Sequence, residues 1–460
     1  MDLHFDDTSN VVGEAAIVLL PVLSSSEDLR SPDARLDEAV GLAAAIDLAV
    51  VDTAIVNIAR PTPATLFGTG KVKDIEARIE HADHDIKLAI VDAQLSPVQH
   101  RNLEKAWNVK VLDRTALILE IFGDRAQTAE GRLQVELAHL SFQRSRLVRS
   151  WTHLERQRGG AGFLGGPGER QIESDRRALA TKIDRISVKL EQVRRTRTLQ
   201  RSKRKRSDLP VVALVGYTNA GKSTLFNHVT GSEILAKNML FATLDPTMRA
   251  VTLPSGQDII LSDTVGFISD LPTQLVAAFR ATLEEVTEAD IIVHVRDISH
   301  PDTEAQRADV IDILDALGVD PDEMRPTIEI FNKSDLLDDA TKTDCMAIAN
   351  ISRENDQISV RDPVRICTSA FSGEGIDNFL DLVDEFATAS HKVCEVFLSP
   401  ADGAARAWLH ERGDVLSDRH EEGGSTMVVR LNKEAQGQFE SRFSHIRFTS
   451  GTSDISEKRA

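Results

Sequence analysis

One short stretch of this chain combines glycines, a lysine and hydroxyl side chains in a spacing suited to phosphate binding. It has the form G-x-x-x-x-G-K-[ST] and comprises Gly216, Tyr217, Thr218, Asn219, Ala220, Gly221, Lys222 and Ser223, with Thr224 directly after it as a further candidate nucleotide contact. The glycines let backbone N–H groups turn inward around an anion without a clash from a Cβ atom. In this pattern the lysine reaches the β- and γ-phosphates and the serine hydroxyl binds Mg²⁺. The sequence therefore predicts a nucleotide-binding phosphate loop with Lys222 as a catalytic residue.

A second motif, N-K-S-D, would choose the base. The carboxylate of Asp335 can accept hydrogen bonds from N1–H and the 2-amino group of guanine, whereas adenine offers no such pair of donors. A site built for a hydrogen-bonded partner strongly rejects an analogue that lacks it. We expect Asn332 to brace the loops and Lys333 to lie over the ring. Ser369 and Ala370 would complete the pocket through a backbone N–H, so the predicted ligands are GTP and GDP.

Two segments between these motifs are candidates for nucleotide-dependent switches. The tetrapeptide D-T-V-G supplies Asp263, expected to hold Mg²⁺ through water, and Gly266, whose N–H would meet the γ-phosphate as a second catalytic contact. Upstream, Thr243 is the favoured residue to close over Mg²⁺, with Thr247 as the alternative. Such segments are ordered by GTP and released on hydrolysis; ordinary loops are the competing interpretation.

The position after Gly266 is informative by what it lacks. Many GTPases place a glutamine there to orient the attacking water. This chain has Phe267 followed by Ile268, and neither side chain can orient water. Intrinsic hydrolysis should therefore be slow and should depend on a partner. Asn219 resembles the phosphate-loop asparagine of GTPases that hold K⁺ where others use an arginine finger, with a loop hydrogen bond as the alternative.

Apolar runs predict the strands that must position these motifs, at residues 211–215, 258–262, 328–331 and 364–367. Upstream, residues 11–125 alternate strand-like and helix-like segments, which favours a small α/β domain with a parallel sheet. Its helices are expected to begin near Asp37, Lys71, Pro97 and Thr115. The pattern of strand-like and helix-like segments in residues 391–460 predicts a small α+β domain.

Composition narrows the class of protein. The 460 residues carry a net charge of −18, and the three cysteines, Cys345, Cys367 and Cys394, have no metal-binding spacing. The acidic N-terminus does not resemble a signal peptide, and no apolar run approaches the length of a membrane span. We therefore expect a cytoplasmic protein that does not enter a membrane. A monomer is the expected state, although the sequence leaves the oligomeric state open.

The charge is unevenly placed. Residues 141–210 contain 19 Lys and Arg against 7 Asp and Glu, which suggests contact with a polyanion. Apolar residues on alternating 3/4 spacing, interrupted once in each helix by Arg144 and Arg176, predict two paired helices. One runs through Leu133, Leu137, Leu140, Leu147, Trp151 and Leu154, the other through Ile172, Leu179, Ile183, Ile186, Leu190 and Val193. Six of the eleven residues 158–168 are glycine, which no helix would tolerate. The sequence therefore predicts an antiparallel helical hairpin with a glycine-rich tip.

This arm would present arginines and two apolar tip residues to RNA. Arginine suits phosphate through its bidentate fork, and an apolar tip can stack on bases. The candidate RNA-binding residues are Arg158, Gly160, Phe163, Leu164, Gly166, Arg170, Arg176 and Arg177. The competing interpretation is a solvated coiled-coil spacer with a loop at its end.

Residues 165–177, GGPGERQIESDRR, resemble a motif of the HflX family of bacterial GTPases, whose form is G-P-G-E-T-Q-L-E-x-D-R-R; Arg170 replaces Thr and Ile172 replaces Leu. Further matches lie at residues 68–71, 95–104, 113–115 and 128–138, and the resemblance covers roughly residues 35–390. It implies binding to the large ribosomal subunit near the peptidyl-transferase region, with the tip against 23S RNA. It also implies GTP-dependent separation of stalled or idle 70S ribosomes and hydrolysis stimulated by the large subunit.

Together these features predict a P-loop GTPase domain (209–390) after a small α/β domain (1–130) and a projecting helical hairpin (131–208), and before a small α+β domain (391–460). A ribosome-assembly GTPase that monitors 23S rRNA has the same motifs and stays an alternative. A second alternative is an RNA-binding module that nucleotide only regulates.

Overall fold

A computed structural model describes residues 13–24, 30–157, 167–205, 209–232, 240–241, 247–269, 285–352, 358–389, 392–421, 423–431 and 433–450. Three sheets organise this part of the chain. We refer to the N-terminal unit (15–125), the arm (129–205), the central unit (211–388) and the C-terminal unit (392–450).

The N-terminal unit alternates strands and helices, as the sequence predicts. Its elements are β1 (Ala15–Leu23), α1 (Pro32–Ala44), β2 (Ala49–Ile58), α2 (Thr69–Glu80), β3 (Leu88–Val91), α3 (Pro97–Trp107), β4 (Lys110–Asp113) and α4 (Arg114–Arg125). The strands are parallel in the order β2-β1-β3-β4. Because both faces of the sheet are covered by helices, strand β3 is buried at every position.

Capping residues set the helix starts of this unit. Ser96 and Gln99 form a capping box at α3, and the Asp113 carboxylate caps α4. Helix α1 begins at Pro32, with the Ser31 hydroxyl as its cap, rather than near Asp37. The serine–proline pair favours a helix start at that point, and the weak apolar pattern of α1 hides it.

Two long helices form the arm, α5 (Ala129–Gln157) and α6 (Pro167–Lys205). The predicted seam is present where side chains are described: Leu140, Ile183, Ile186 and Leu190 are buried together, and Leu133, Leu137 and Leu179 pack against them. Leu147, Trp151, Leu154 and Ile172 lie outside the described side chains.

The central unit contains a six-stranded sheet in the order β10-β9-β8-β5-β7-β6, in which only β6 is antiparallel to its neighbour. Its described elements are β5 (Val211–Val215), α7 (Lys222–Thr230), β6 (Thr247–Thr252), β7 (Asp258–Asp263), β8 (Ile291–Asp297), α8 (Thr303–Ala316), β9 (Thr327–Asn332), α9 (Asp339–Ser352), β10 (Val364–Cys367) and α10 (Ile376–Thr388). The four predicted strands are present. Strands β5, β7, β8 and β9 carry the candidate site at their carboxyl ends, where open parallel sheets bind ligands.

The C-terminal unit is a four-stranded antiparallel sheet in the order β12-β13-β11-β14. Its elements are β11 (Lys392–Leu398), α11 (Gly403–Arg412), β12 (Asp414–Glu421), β13 (Gly424–Leu431), α12 (Lys433–Arg442) and β14 (Phe448–Ser450). Alternate residues of β13 are buried, which places one face of the sheet against an apolar core under the two helices. Across the described residues, no helix has both the length and the apolar character needed to cross a membrane.

Candidate nucleotide-binding site

Strand β5 ends directly in the phosphate loop, and two glycines are required for the loop to pass its neighbours. Gly216 has φ +146°, and a Cβ atom there would lie 2.1 Å from the carbonyl oxygen of Val295. Gly221 has φ +96°, and its Cβ would lie 2.2 Å from Nδ2 of Asn332. Both positions therefore exclude any larger residue, for steric and conformational reasons together.

Lys222 begins helix α7 and is buried under the loop. Its Nζ donates to the carbonyl oxygens of Gly216 at 3.0 Å and Tyr217 at 2.7 Å. Burial lowers the pKa of Lys222 to about 8, although the nearby carboxylate of Asp263 favours the charged form. Phosphate oxygens would supply the charge compensation that this ammonium group otherwise largely lacks.

The structure brings together two of the predicted Mg²⁺ ligands. The Ser223 hydroxyl donates to Oδ2 of Asp263 at 2.7 Å, and the Asp263 side chain is fully buried at the end of β7. A hydroxyl and a carboxylate are oxygen ligands of the kind that Mg²⁺ prefers. Thr247 lies at the start of β6 opposite Asp263 in the strand pairing, whereas Thr243 lies outside the described residues.

Gly266 lies directly against the phosphate loop. A Cβ atom there would be 3.1 Å from Lys222 Nζ and 2.9 Å from Cα of Thr218. The next residue, Phe267, exchanges backbone hydrogen bonds with the loop: its carbonyl accepts from Thr218 N at 2.8 Å, and its N–H donates to Gly216 O at 3.1 Å. The Phe267 ring is buried in the apolar core, so it cannot orient a water molecule.

The base-reading residues converge from β9 and β10. Asn332 donates to the carbonyl of Ala220 at 2.8 Å and accepts from Ala370 N at 2.9 Å, so it braces three loops. The Ser369 hydroxyl donates to Oδ1 of Asp335 at 2.5 Å, which orients the carboxylate predicted to read guanine.

Three further predicted residues lie in the base-reading motif and around the phosphate loop. Lys333 adopts φ +64°, and its Nζ bonds Asp297 at 2.6 Å, a tie that the sequence did not indicate. Asn219 is exposed at φ +59°, a left-handed conformation that asparagine tolerates better than most residues. Thr224 lies half-buried in the first turn of α7.

Sequence reasoning also missed a buried ion cluster behind the base-reading loop. Glu329 on β9 is fully buried and accepts from Arg296 at 3.2 Å, Arg307 at 2.7 Å and Arg365 at 2.8 Å. Burial by itself would raise the pKa of Glu329, but the surrounding positive charges lower it to about 2. Burial also lowers the pKa of the neighbouring His294 to about 3, so this ring stays neutral. The sequence signal for this cluster is Glu329 itself, a glutamate inside an otherwise largely apolar strand.

Two candidate RNA-binding residues are described, and they lie on the arm. Arg176 and Arg177 on α6 have side chains that are 57% and 79% exposed, and both lie near Glu173. Arg170 lies on α6, but its side chain is outside the described part of the structure. The other five candidates lie outside the described residues: Arg158, Gly160, Phe163, Leu164 and Gly166.

Comparisons with known proteins agree with this geometry. Three family models match: the GTP-binding GTPase N-terminal region over residues 33–123, the GTP-binding GTPase middle region over 125–204 and the 50S ribosome-binding GTPase over 211–333. GTPase HflX of Magnetococcus marinus is 46% identical over 426 residues, covering 92% of this chain and 94% of the relative. GTPase HflX of Escherichia coli K12 is 38% identical and covers 91% and 94%. The chain belongs to the HflX family of GTPases.

Membership of the HflX family confirms the sequence-based resemblance and the P-loop GTPase fold, and it makes the chain a GTP hydrolase that binds GTP and GDP. GTPases with this fold generally use Mg²⁺ with the nucleotide. Among solved structures, a GTP-binding protein from the hyperthermophilic archaeon Sulfolobus solfataricus in complex with GDP has a TM-score of 0.44 and 23% identity, covering 81% of this chain and 99% of that one. At this level of likeness, nothing about the site of the archaeal protein is transferred to this chain.

Proposed function

We propose that this GTPase binds the large ribosomal subunit through its arm and separates stalled or idle ribosomes into subunits. The observation that carries the proposal is the arm itself, in which an apolar seam between α5 and α6 leaves Arg176 and Arg177 on the surface. The description of the matched family model, 50S ribosome-binding GTPase, supports the choice of partner. We further infer that the protein acts as a cytoplasmic monomer.

The nucleotide site would control this binding. GTP, with Mg²⁺ on Ser223 and Asp263, would bring its γ-phosphate to Lys222 and to the N–H of Gly266. Because Phe267 is hydrogen-bonded to the phosphate loop, a contact between Gly266 and the γ-phosphate would be transmitted to the residues that follow. Because the buried Phe267 side chain cannot orient the attacking water, we infer that the ribosome supplies or organises the group that does so.

The test is GTP hydrolysis by the purified protein, alone and with purified large ribosomal subunits, together with light scattering of 70S ribosomes. Stimulation of at least about a hundredfold is expected, since one water-orienting or charge-stabilising group contributes roughly that much or more. Scattering should fall with GTP and stay constant with GDP. Stimulation without splitting would favour the assembly GTPase, and no stimulation would contradict the ribosomal partner.

Arm variants locate the contact. Arg176→Ala with Arg177→Ala should weaken large-subunit binding and reduce the slope of log K against log salt by about 1–2, because up to two phosphate contacts are lost. Arg195→Ala is the matched control for Arg177→Ala alone, since Arg195 lies on the same helix, is 78% exposed and pairs with Glu191 four residues before it, as Arg177 pairs with Glu173. Equal losses in the two proteins would contradict an arm-end contact. A protein that lacks residues 209–390 and still acts on ribosomes would favour the RNA-binding module.

We also propose that K⁺ assists hydrolysis near Asn219. The side chain is exposed at the mouth of the phosphate loop, where a bound cation would lie close to the developing charge. Hydrolysis should be faster in K⁺ than in Na⁺ at equal ionic strength, and Asn219→Ala should remove the difference. Equal rates in the two salts would exclude the idea.

A further inference from the structure

A buried polar network joins the N-terminal unit to the phosphate loop. The hydroxyl of Tyr217 donates to Oε2 of Glu38 at 2.5 Å and accepts from the backbone N of Ser269 at 2.8 Å. Arg114 donates to Glu38 and, at 2.9 Å, to the hydroxyl of Ser269. Tyr217 and Arg114 are 5% and 6% exposed, so these contacts are shielded from water. Hydrogen bonds between polar groups are stronger in such a buried environment than in water.

The network lies where the N-terminal sheet would otherwise bind a ligand. Strands β1 and β3 are neighbours whose connections leave in opposite directions, and doubly wound sheets bind ligands at the carboxyl ends of such a pair. Asp92 directly follows β3 and accepts from Arg114 at 2.5 Å. The same guanidinium group then reaches Ser269 of the central unit. A segment of the GTPase itself thus lies at the usual ligand position.

The charges in the network are well defined. Burial opposes the charge on Arg114, but Asp92 and Glu38 raise its pKa above the ordinary value, so it stays a cation. Burial and the Glu38 charge raise the pKa of Tyr217 above its ordinary value, so the phenol keeps its proton and acts as a donor. At neutral pH the bonds therefore have fixed direction, from Tyr217 and Arg114 to Glu38.

These contacts hold the far end of the segment that begins at Gly266. At one end Gly266 lies beside Lys222, where the γ-phosphate is expected. At the other end Ser269 is held through its backbone N, its carbonyl and its hydroxyl. A second contact reaches the chain before β6, where Phe241 packs edge-on against Phe122 of α4, with ring centroids 4.7 Å apart.

We propose that Glu38 and Arg114 are positioning residues of the GTPase site, which hold the N–H of Gly266 where GTP needs it through Tyr217 and Ser269. Neither residue touches the nucleotide in this scheme. GDP lacks the γ-phosphate that Gly266 would meet, so the network favours GTP over GDP. The N-terminal unit, which carries the arm, is thereby coupled to the identity of the nucleotide.

The test compares affinities for a non-hydrolysable GTP analogue and for GDP in Glu38→Gln, Tyr217→Phe and the double variant. Each single variant should lower the ratio of GTP-analogue to GDP affinity by about tenfold, the effect of one charge-assisted hydrogen bond. The double variant should lose less than the sum of the two single variants, because both changes weaken the bond between Tyr217 and Glu38. Retained GDP affinity in Glu38→Gln serves as the check on folding.

Asp309→Asn is the matched control. Its bond to Arg30, at 2.6 Å, also crosses between the N-terminal and central units, yet it touches neither the phosphate loop nor residues 266–269. The control should leave the affinity ratio within about twofold of the wild type. A ratio that is unchanged in Glu38→Gln, or that falls equally in the control, would overturn the proposal, as would equal losses of both nucleotides.

A spectroscopic readout separates positioning from general destabilisation. Tyr217 is the only tyrosine of the chain, so protein labelled with 3-fluorotyrosine gives one ¹⁹F resonance. The chemical shift of this resonance should differ between the GDP and GTP-analogue complexes. Glu38→Gln should reduce that difference by at least about half, since the hydrogen bond that orients the phenol loses its charged acceptor. The same difference in variant and wild type would contradict the proposal.

Discussion

Replacing Glu329 with glutamine should loosen the strands that deliver the base-reading loop. The amide keeps the volume of the side chain but removes the charge that three guanidinium groups share. Removing one partner of a buried ion pair costs about 3–5 kcal/mol. Arg307 and Arg365 have side chains that are 19% and 22% exposed and can find water, and Arg296 keeps its bond to Glu304 at 2.6 Å. The loss should therefore lie near the lower limit, about 3 kcal/mol.

Hydrogen exchange measured by mass spectrometry reports stability segment by segment, so it can detect this loss of stability at one sheet of a chain with several units. Because 1.4 kcal/mol corresponds to tenfold, amides of β8 and β9 that open locally should exchange about a hundredfold faster in Glu329→Gln. Asp322→Asn is the control: its pair with Arg361 is 69% and 62% exposed and should change exchange by less than about threefold. If β9 exchanges at the same rate in both variants, the cluster does not stabilise the loop and the reasoning is refuted.

Three further results are expected. Because the pKa of Lys222 is about 8 and phosphates favour its charged form, GTP affinity measured by calorimetry should fall above pH 8, by at most about tenfold per pH unit; a flat profile to pH 10 would contradict this. Asp335→Asn should shift preference from guanine to xanthine nucleotides, and retained GTP preference would exclude Asp335 as the base reader. His294 is neutral when folded, with a pKa of about 3 against 6.5, so the unfolded chain binds more protons between these values. Stability should therefore decrease as pH falls from 6.5 to 3, by up to about 1.4 kcal/mol per unit, and His294→Gln should flatten the thermal unfolding profile over that window.

The phosphate loop and base-reading motif could be predicted because their chemistry lies in contiguous residues. Gly216 and Lys222 need only the strand before them and the helix after them, and both are visible as local patterns. The arm seam could be predicted for the same reason, since residues such as Ile183 and Ile186 repeat at helical spacing.

Contacts between distant residues could not be predicted in this way. Nothing in the sequence around Glu38 indicates that it meets Tyr217, which lies in another unit of the fold. Strand β8 was missed because His294 and Arg296 interrupt its apolar pattern, and only the tertiary structure shows that Glu329 accommodates them. In the sequence, a long-range ion pair of this kind is visible only as a polar residue within an apolar segment.

Helix α6 has a mechanical consequence. Its 39 residues give it a length of about 58 Å, and it ends at Lys205, shortly before β5 and the phosphate loop. Its last residue precedes the amino end of β5, whereas the phosphate loop follows the carboxyl end of that strand, so the helix has the proportions of a lever whose short side joins the base of the central sheet. A rotation of about 10° at that end displaces the opposite end by about 10 Å, roughly the diameter of a helix. A small rotation where α6 meets the central unit can thus become a displacement of about one α-helix diameter at the far end of the arm, without bending any of its elements.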